Sequence, residues 1–437
     1  MSQLVETSGL RTIAAGIERQ QVMDVVRAAT FIGTLLLGWV TLHPFESLGD
    51  LQIGDVGTGN ELMTYATFGG LSLLTLALAM RSGARGLATL LSPAFVLFGA
   101  WLLITVVLSF DPATSVKRLS LTTCVIAVTA SMMLLPKSQH ELMHWFAISA
   151  LALLAICYLG ILLAPDLSIH LASDPQEPGL AGNWRGAFGH KNMAAAVMVM
   201  VLFLGVYVVS SGLWISGAAI IALASLFLLY SAGKSSLTLC FAVLLLTSVT
   251  AFVRSFWLRA IILLTPLLLL NLLSIGAVMF EGLAGISKLL PFDSTFTGRT
   301  DIWAFALQSL HARLLTGYGF ASFWGSSAIQ NLPEGKEWAG FAAHSHNGYL
   351  DTALGMGVPG LLLLILVLVI LPLRNFQRAT EGGNNGPLAM ALLRIWLFGL
   401  YLSAMESFFL DRSDPIWFTF LLAVFGLHYL ARFRAVT

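Results

Sequence analysis

Charged residues are scarce in this chain of 437 residues, of which only 10% are Asp, Glu, Lys or Arg. A soluble domain has about 25% charged and about 45–50% apolar residues, whereas 57% of this sequence is hydrophobic. The scarcity of charge excludes a soluble globular protein and indicates one integral membrane body spanning residues 1–437. The formal net charge is only +1, so the chain also lacks the basic field that would hold nucleic acid.

Cysteine is rare as well, and no repeat of fixed period is present. Cys124, Cys157 and Cys240 each lie inside an apolar run, and no CxxC pair occurs. Disulfides and cysteine-based metal sites are therefore not expected. The first apolar run has no small-residue cleavage site before His43, which indicates a retained membrane anchor instead of a removed signal peptide.

Long apolar runs, by contrast, are abundant. A bilayer core about 30 Å thick offers no partner to backbone groups, so each crossing needs a helix of about 20 apolar residues. We predict an all-α, polytopic membrane protein with about twelve spans, near residues 28–45, 62–80, 86–110, 119–135, 145–164, 193–210, 213–230, 235–253, 258–280, 347–373, 388–410 and 416–433. The Lys and Arg residues of the short loops favour cytoplasmic N- and C-termini.

Two long segments are predicted on the external side, at residues 165–192 and, between spans 9 and 10, at residues 281–345. Loops of such length are usually functional or disordered, and the aromatic content of the second argues against disorder. The same side is predicted to carry cations that the positive-inside rule disfavours, which suggests that something there needs them. These cations are Lys117, Arg118, Arg185, Lys191, Lys234, Lys288, Arg299, Arg313, Lys336 and Arg412.

The first external segment ends in a glycine-rich, basic stretch, GNWRGAFGHKN, from Gly182 to Asn192. It directly precedes a span, so Asn192 is expected to cap a helix whose N-terminus attracts anions. Arg185, His190 and Lys191 add donors and charge there. Arg185 ranks first for a diphosphate, because a guanidinium binds phosphate oxygens bidentately and an ammonium does not.

The second external segment contains a predicted amphipathic helix that begins near Asp301 with Thr300 as its N-cap. This helix is expected to lie at the membrane interface. Arg299, just before it, would form half of a phosphate clamp. The alternative is an interfacial arginine that contacts lipid headgroups.

A third polar cluster, His344-Ser345-His346-Asn347 with Asp351, opens another span. Two histidines at a helix mouth suit either a general base or a metal site. Metal is the weaker interpretation, because a zinc site wants three protein ligands and no third one occurs at ligand spacing. Lys234 and Arg118, each near the external end of a span, are candidates for further cations of the same site.

Together these segments resemble the O-antigen ligase and Wzy-type polysaccharide polymerase superfamily, most closely its exopolysaccharide polymerase branch. The matching elements are RGAFGHKN from Arg185 to Asn192, TGRTDIW from Thr297 to Trp303, GYGF from Gly317 to Phe320, and His346-Asn347 followed by Gly357 and Gly360. A departure is Lys234, where similar proteins often have arginine.

The resemblance implies a membrane glycosyltransferase of GT-C-like architecture in the bacterial inner membrane, with its active site on the periplasmic face. Such an enzyme moves an oligosaccharide from undecaprenyl diphosphate to an acceptor hydroxyl, with inversion and without metal, nucleotide or other cofactor. His346 would be the catalytic base. The implied diphosphate ligands are Arg185, Arg299, Lys191, His190 and Lys234, and the supporting residues are His344, Asn347, Asp351 and Arg118.

The implied partners are the undecaprenyl-diphosphate-linked oligosaccharide, membrane lipid, and a flippase and a chain-length co-polymerase of the same pathway. Polymerisation of repeats into exopolysaccharide is the favoured function, and the alternative within the family is ligation of glycan to a lipid A core. A membrane transporter of glycan or lipid-linked substrate also stays open. So does a metal-dependent polyprenyl-phosphate sugar transferase, which would use the acidic residues Glu46, Asp50, Asp55 and Glu61.

Overall fold

A computed structural model describes residues 2–48, 61–174, 177–289, 298–324, 342–384, 386–412 and 414–433. Asp50, Asp55, Thr297 and Lys336 lie outside the described residues, as do 290–297 and 325–341 of the second external segment. The helices are α1 Ser2–Val40, α2 Glu61–Gly83, α3 Arg85–Ala88, α4 Pro93–Val107, α5 Pro112–Met132, α6 Gln139–Leu163, α7 Lys191–Ser210, α8 Trp214–Tyr230, α9 Lys234–Ala251, α10 Phe256–Leu273, α11 Ile275–Met279, α12 Glu281–Leu289, α13 Arg299–His311, α14 Gly348–Ile365, α15 Leu371–Glu381, α16 Pro387–Leu402 and α17 Pro415–Leu430. A π-helical turn, Leu366–Ile370, joins α14 to α15.

This all-helical architecture fits a polytopic membrane protein. Among the described residues, seven stretches are long and apolar enough to cross a bilayer, and four further apolar helices have 10–17 residues. Each predicted span overlaps helical residues, but span 86–110 covers parts of both α3 and α4, and span 258–280 covers parts of both α10 and α11. The count of twelve therefore stays a prediction. In the described part of the chain, extended pairing is limited to one antiparallel bridge between Ile169 and Trp184.

The sequence sets many helix starts through proline and capping side chains. α4, α5, α16 and α17 each begin with proline, whose missing N–H costs nothing in the first turn. Asp111 caps α5 by accepting from the Thr114 N–H at 3.1 Å. Asp414 likewise caps α17 by accepting from the N–H groups of Ile416 and Trp417 at 2.6 and 2.9 Å.

Helix α7 lies at the centre of the bundle. Residues 194 to 201 are at most 1% exposed, and the helix packs against α6, α8, α16 and α17. Its backbone lies very close to that of α8 at Gly217. A Cβ added there would lie only 2.6 Å from the Val209 nitrogen. Small residues at such a contact let helix backbones approach, which is how membrane helices gain packing energy.

Polar contacts made by described residues of the predicted external segments lie at one end of the bundle, which we call the site end. There the Arg118 guanidinium donates to the Ala321 carbonyl, and Arg299 donates to the Met405 carbonyl. At the opposite end, Arg259 donates to Gln377 at 2.7 Å. The assignment of these segments to the external side of a membrane stays a prediction.

Two of the helix boundaries that differ from the predictions lie at the site end. α13 begins at Arg299 with Gly298 as its N-cap at φ 82°, so Thr300 lies in the first turn and is not the cap. The left-handed backbone that a glycine adopts easily explains the shift. The predicted span at residues 388–410 ends earlier, since α16 stops at Leu402, and the described residues 403–412 and 414 are not helical; this connection to α17 is called the 403–414 loop.

Helix α13 packs against α14, which helps to position the site end. Trp303, Phe305 and Ala306 are buried with Phe323 and with residues of α14. The apolar side of α13 that was predicted for the membrane interface is thus partly covered by protein. Its location at the interface stays a prediction.

Helix α14 is kinked at Gly357, where φ is 67° and ψ is −179°. The backbone groups around the kink pair with the segment after α13. Val358 N–H donates to the Leu314 carbonyl at 2.8 Å, and Tyr318 N–H donates to the Leu354 carbonyl at 2.7 Å. The glycines that follow His346-Asn347 in the family pattern therefore let α14 bend and accept a second backbone segment.

Replacing Gly357 by alanine is expected to destabilise the protein. The added Cβ would lie 2.2 Å from the Leu315 carbonyl oxygen at a positive φ, and alanine pays for both. Thermal unfolding of the purified protein in detergent measures the loss. The control is Gly99→Ala in α4, where the added Cβ meets nothing within 4 Å, so that stability should hold or rise slightly. Equal melting temperatures for both variants would contradict the assigned role of the kink.

Candidate active site

Three segments of the site end meet at one carboxylate, that of Glu406 in the 403–414 loop. Its Oε2 lies 3.2 Å from His346 Nδ1, and its Oε1 accepts from Arg299 Nη2 at 3.1 Å. The three side chains are partly exposed, at 25% for Glu406, 33% for His346 and 22% for Arg299. A histidine, a carboxylate and a guanidinium thus form one cluster that a substrate can reach.

The loop that carries His346 is fixed by polar contacts to its neighbour Ser345. The Asp351 carboxylate accepts from the Ser345 N–H at 3.1 Å with both oxygens and from Trp324 Nε1 at 2.7 Å. Trp303 Nε1 donates to the Ser345 carbonyl at 2.9 Å. His346 itself has a positive φ of 55°. Asp351 and α13 therefore hold the strained backbone that presents the histidine.

Asn347 joins the histidine loop to the 403–414 loop. Its side-chain oxygen caps α14 by accepting from the Tyr349 and Leu350 N–H groups, and its Nδ2 donates to the Ala404 carbonyl at 2.9 Å. Gly348 N–H donates to the Ser403 carbonyl at 2.8 Å. These bonds bring Glu406 opposite His346, so Asn347 and Asp351 act here as positioning residues.

The protonation of the cluster follows from these contacts. Burial opposes ionisation of Glu406, but the hydrogen bond to His346 and the charge of Arg299 outweigh it and lower the pKa of this carboxyl. An ionised carboxylate only accepts hydrogen bonds, so Nδ1 of His346 must carry the hydrogen. The lone pair of Nε2 is then free to take a proton from a substrate.

His344 lies against His346, with ring centroids 4.2 Å apart, and its Nδ1 accepts from the His346 N–H at 3.3 Å. Burial, together with the charge of His346, lowers the pKa of His344. A neutral His344 beside the reactive ring therefore keeps its acceptor role at neutral pH.

Arg185 occupies a separate part of the site end. Its residue exposure is 1%, and its terminal nitrogens donate to the carbonyls of Phe188 at 3.2 Å and Glu46 at 2.7 Å. Its Nε has no partner among the described residues. Among the described residues, the hydrogen bonds of Arg185 do not reach the segments that carry Arg299 and His346.

His190 and Lys191 make local contacts near the start of α7. His190 caps this helix by accepting from the Asn192 N–H at 3.1 Å, so the prediction that Asn192 is the cap was wrong. The imidazole caps as an acceptor, and Asn192 lies one residue into the helix. Lys191 Nζ donates to the Ala232 carbonyl at 3.2 Å, close to the exposed Lys234 at the start of α9. Arg118 is tied to Ala321 in the segment after α13.

Glu406 was missed by the sequence reasoning because it was counted inside an apolar span. A lone carboxylate within an apolar run is itself a signal of function, since burying it in a membrane is costly. Glu406 gives this signal within residues 388–410. Across the part of the chain that the structure describes, no group of three or more His, Cys, Asp and Glu residues has the arrangement of a metal site.

The chain is similar to known proteins over part of its length. Residues 217–365 match a family model described as O-Antigen ligase. The chain is also 31% identical over 205 residues to the exopolysaccharide production protein ExoQ of Rhizobium meliloti (strain 1021). The predicted resemblance to the O-antigen ligase family is confirmed. The alignment covers 42% of this chain and 45% of that relative, so the chain matches less than half of the relative's length.

The family match includes Lys234, Arg299 and His346, whereas Arg185 and Glu406 lie outside residues 217–365. The matched segment therefore contains two of the three members of the cluster. The third member, Glu406, is brought to them by the fold.

His344 is expected to make the protein acid-sensitive. Its folded-state pKa lies below its usual value of about 6.5, so the unfolded chain binds the proton more readily. Stability should therefore fall as the pH drops from about 7 through this range. Melting temperatures between about pH 5 and 8 should show a smaller fall in His344→Gln than in the wild type. The control is His140→Gln, which changes an exposed histidine at the opposite end, and identical pH profiles for all three proteins would refute this role of His344.

Proposed function

We propose that this protein is a glycosyltransferase that polymerises undecaprenyl-diphosphate-linked oligosaccharide repeats into exopolysaccharide. The observation that carries the proposal is the Glu406 carboxylate held between His346 and Arg299. The family match supports O-antigen ligase or polymerase-type chemistry. The relative that is named for exopolysaccharide production supports the polymerase choice.

In the proposed reaction, the acceptor hydroxyl gives its proton to Nε2 of His346 as its oxygen attacks the anomeric carbon of the donor. The bond from this carbon to the phosphate oxygen breaks, and undecaprenyl diphosphate leaves with the bonding electrons. Direct attack inverts the anomeric configuration. Glu406 stabilises the imidazolium that forms, as the carboxylate does in other His–carboxylate pairs.

Arg299 is the better candidate for the leaving diphosphate. It is partly exposed, stands at the start of α13 and borders the same carboxylate as the base, so it can stabilise negative charge as it develops. The terminal nitrogens of both arginines already donate to protein oxygens, but Arg185 is buried at 1% exposure, whereas Arg299 stays accessible. Arg185 serves the site by shaping the glycine-rich loop, while Lys191 and Lys234 add positive charge at the neighbouring helix starts.

Ligation of finished glycan to a lipid acceptor is the second candidate, since the matching family is described as O-Antigen ligase. Both activities need the same base and the same cation.

For either activity, we propose that the site end faces the periplasm at the bacterial inner membrane and that the termini face the cytoplasm. A flippase would supply the lipid-linked donor, and a chain-length co-polymerase would be the further partner.

A strain lacking this protein should accumulate single repeats on the lipid carrier, and wild-type protein should restore long polymer. His346→Ala should fail to restore it while still inserting into the membrane, because the base is missing. Gel analysis of lipid-linked and released glycan measures both. Long polymer stranded on the carrier would indicate a ligase, and full restoration by His346→Ala would refute the assigned base.

Glu406→Gln should lower kcat by about a hundredfold or more with little change in donor KM, because the amide cannot balance the imidazolium charge.

Arg299→Lys should instead raise donor KM and also lower kcat, since the ammonium keeps the charge but loses the planar fork. Transfer of radiolabelled repeat in proteoliposomes separates the two effects. Glu141→Gln is the control, because that carboxylate accepts from the Lys137 N–H at the opposite end. Wild-type kinetics in Glu406→Gln would exclude its role.

A further inference from the structure

A cavity of about 330 Å³ opens at the site end, away from the three side chains of the candidate active site. Its walls come from the end of α1 and the turn after it, the start of α2, α5, the start of α7, the end of the 403–414 loop and α17. The inner wall is apolar, with Leu37, Phe68 and Phe418, and the polar lining includes Tyr65, Arg412 and Asp414. This volume is at the small end of the range for small-molecule sites.

The polar lining has hydrogen-bonding capacity that the described protein leaves unused. Asp414 uses Oδ1 to cap α17, whereas its Oδ2 has no hydrogen-bond partner among the described residues. The Tyr65 hydroxyl and the Arg412 guanidinium likewise make no hydrogen bond within the described part of the chain. Groups of this kind converging on a half-apolar cavity are typical of a ligand site.

The charge of the lining argues against a phosphate ligand. Glu46 supplies one carboxylate and Arg412 one guanidinium, so these two groups leave no excess positive charge for a phosphate, and His43 and the carboxyl group of Asp414 lie beside them. Burial and the charge of Asp411 raise the pKa of Asp414 to about 8, so this group keeps a proton at neutral pH and can both donate and accept. A neutral, hydroxyl-rich ligand with an apolar face fits such a lining, because carboxyl groups pair with hydroxyls and an aromatic ring covers apolar carbon.

The cavity also lies between the two parts of the site end. Glu46, which lines it, gives its carbonyl to Arg185. Asp414 lies in the same loop as Glu406, whose charge acts on it. A ligand in the cavity would therefore contact both the glycine-rich loop, at Gly189, and the loop that carries Glu406, at Arg412 and Asp414, without touching the three side chains of the candidate active site.

We propose that this cavity binds a sugar ring of the glycan substrate, held by Tyr65, Arg412 and Asp414. The inference rests on the proposed function for its choice of a glycan. The sugar ring belongs either to the acceptor chain or to the donor repeat, and both present the same chemistry to the cavity.

Two conservative variants test the site. Asp414→Ser keeps a helix-capping oxygen but removes the second oxygen, and Tyr65→Phe removes only the hydroxyl. The matched controls are Asp111→Ser, which changes the carboxylate cap of α5 outside the cavity, and Tyr230→Phe, whose ring stacks on Trp184. The probe is the oligosaccharide repeat released by partial acid hydrolysis from the strain's own polysaccharide, and saturation-transfer NMR measures its binding to the full chain in detergent.

Wild type and both controls should bind the oligosaccharide equally, and each cavity variant should bind it about three- to tenfold more weakly, the loss expected for one hydrogen bond. Absence of binding to the wild type, or equal affinity in all five proteins, would overturn the proposal. A third outcome would also overturn it. In that outcome the oligosaccharide does not bind, whereas undecaprenyl phosphate or inorganic diphosphate binds and Asp414→Ser weakens that binding.

Binding of the oligosaccharide requires no turnover, so this test is independent of the proposed reaction. A wild-type protein that binds the sugar through Asp414 and Tyr65 but extends no chain in proteoliposomes would refute the function and leave the sugar site standing. In active protein, a rise of acceptor KM alone in the two variants assigns the cavity to the acceptor. A rise of donor KM alone assigns it to the donor repeat.

Discussion

One constraint governs this structure: in a bilayer, every backbone N–H and C=O group needs a hydrogen-bond partner within the protein. Lipid supplies no such partner, so the apolar runs form helices, and irregular backbone is confined to their ends or to places where protein covers it. The kink at Gly357 is such a place, because the segment after α13 pairs with the backbone groups around it. That segment directly follows α13, which itself packs against the first turns of α14.

The site end gathers charge that a membrane protein ordinarily avoids. Glu406, Arg299 and His346 share hydrogen bonds, and this mutual pairing offsets the cost of holding a carboxylate near the apolar bundle. The same pairing selects the tautomer of His346 and leaves Nε2 available. The contacts that offset the cost of the Glu406 charge are therefore the same ones that orient His346.

The glycine-rich loop before α7 and the 403–414 loop lie on either side of the cavity between α1, α2, α5 and α17. Arg185 holds the first loop to the turn after α1 through the Glu46 carbonyl, and Asp414 ends the second by capping α17. The arginines of the site end therefore have two different roles. Arg185 and Arg118 tie loops to the bundle, while Arg299 stands where a substrate can meet it.

The sequence by itself determined the helical membrane architecture, because hydrophobic length is a local property and each apolar run has one allowed structure in a bilayer. It also led to the prediction of His346 and Arg299 as site residues, since both stand in motifs at helix starts whose family resemblance is carried by adjacent residues. Only the tertiary structure decided their partner, because Glu406 is remote from both in the chain and the early end of α16 at Leu402 is what frees it into a loop. The division of roles between Arg299 and Arg185 was likewise beyond the sequence, since exposure and hydrogen-bond partners depend on how distant segments pack.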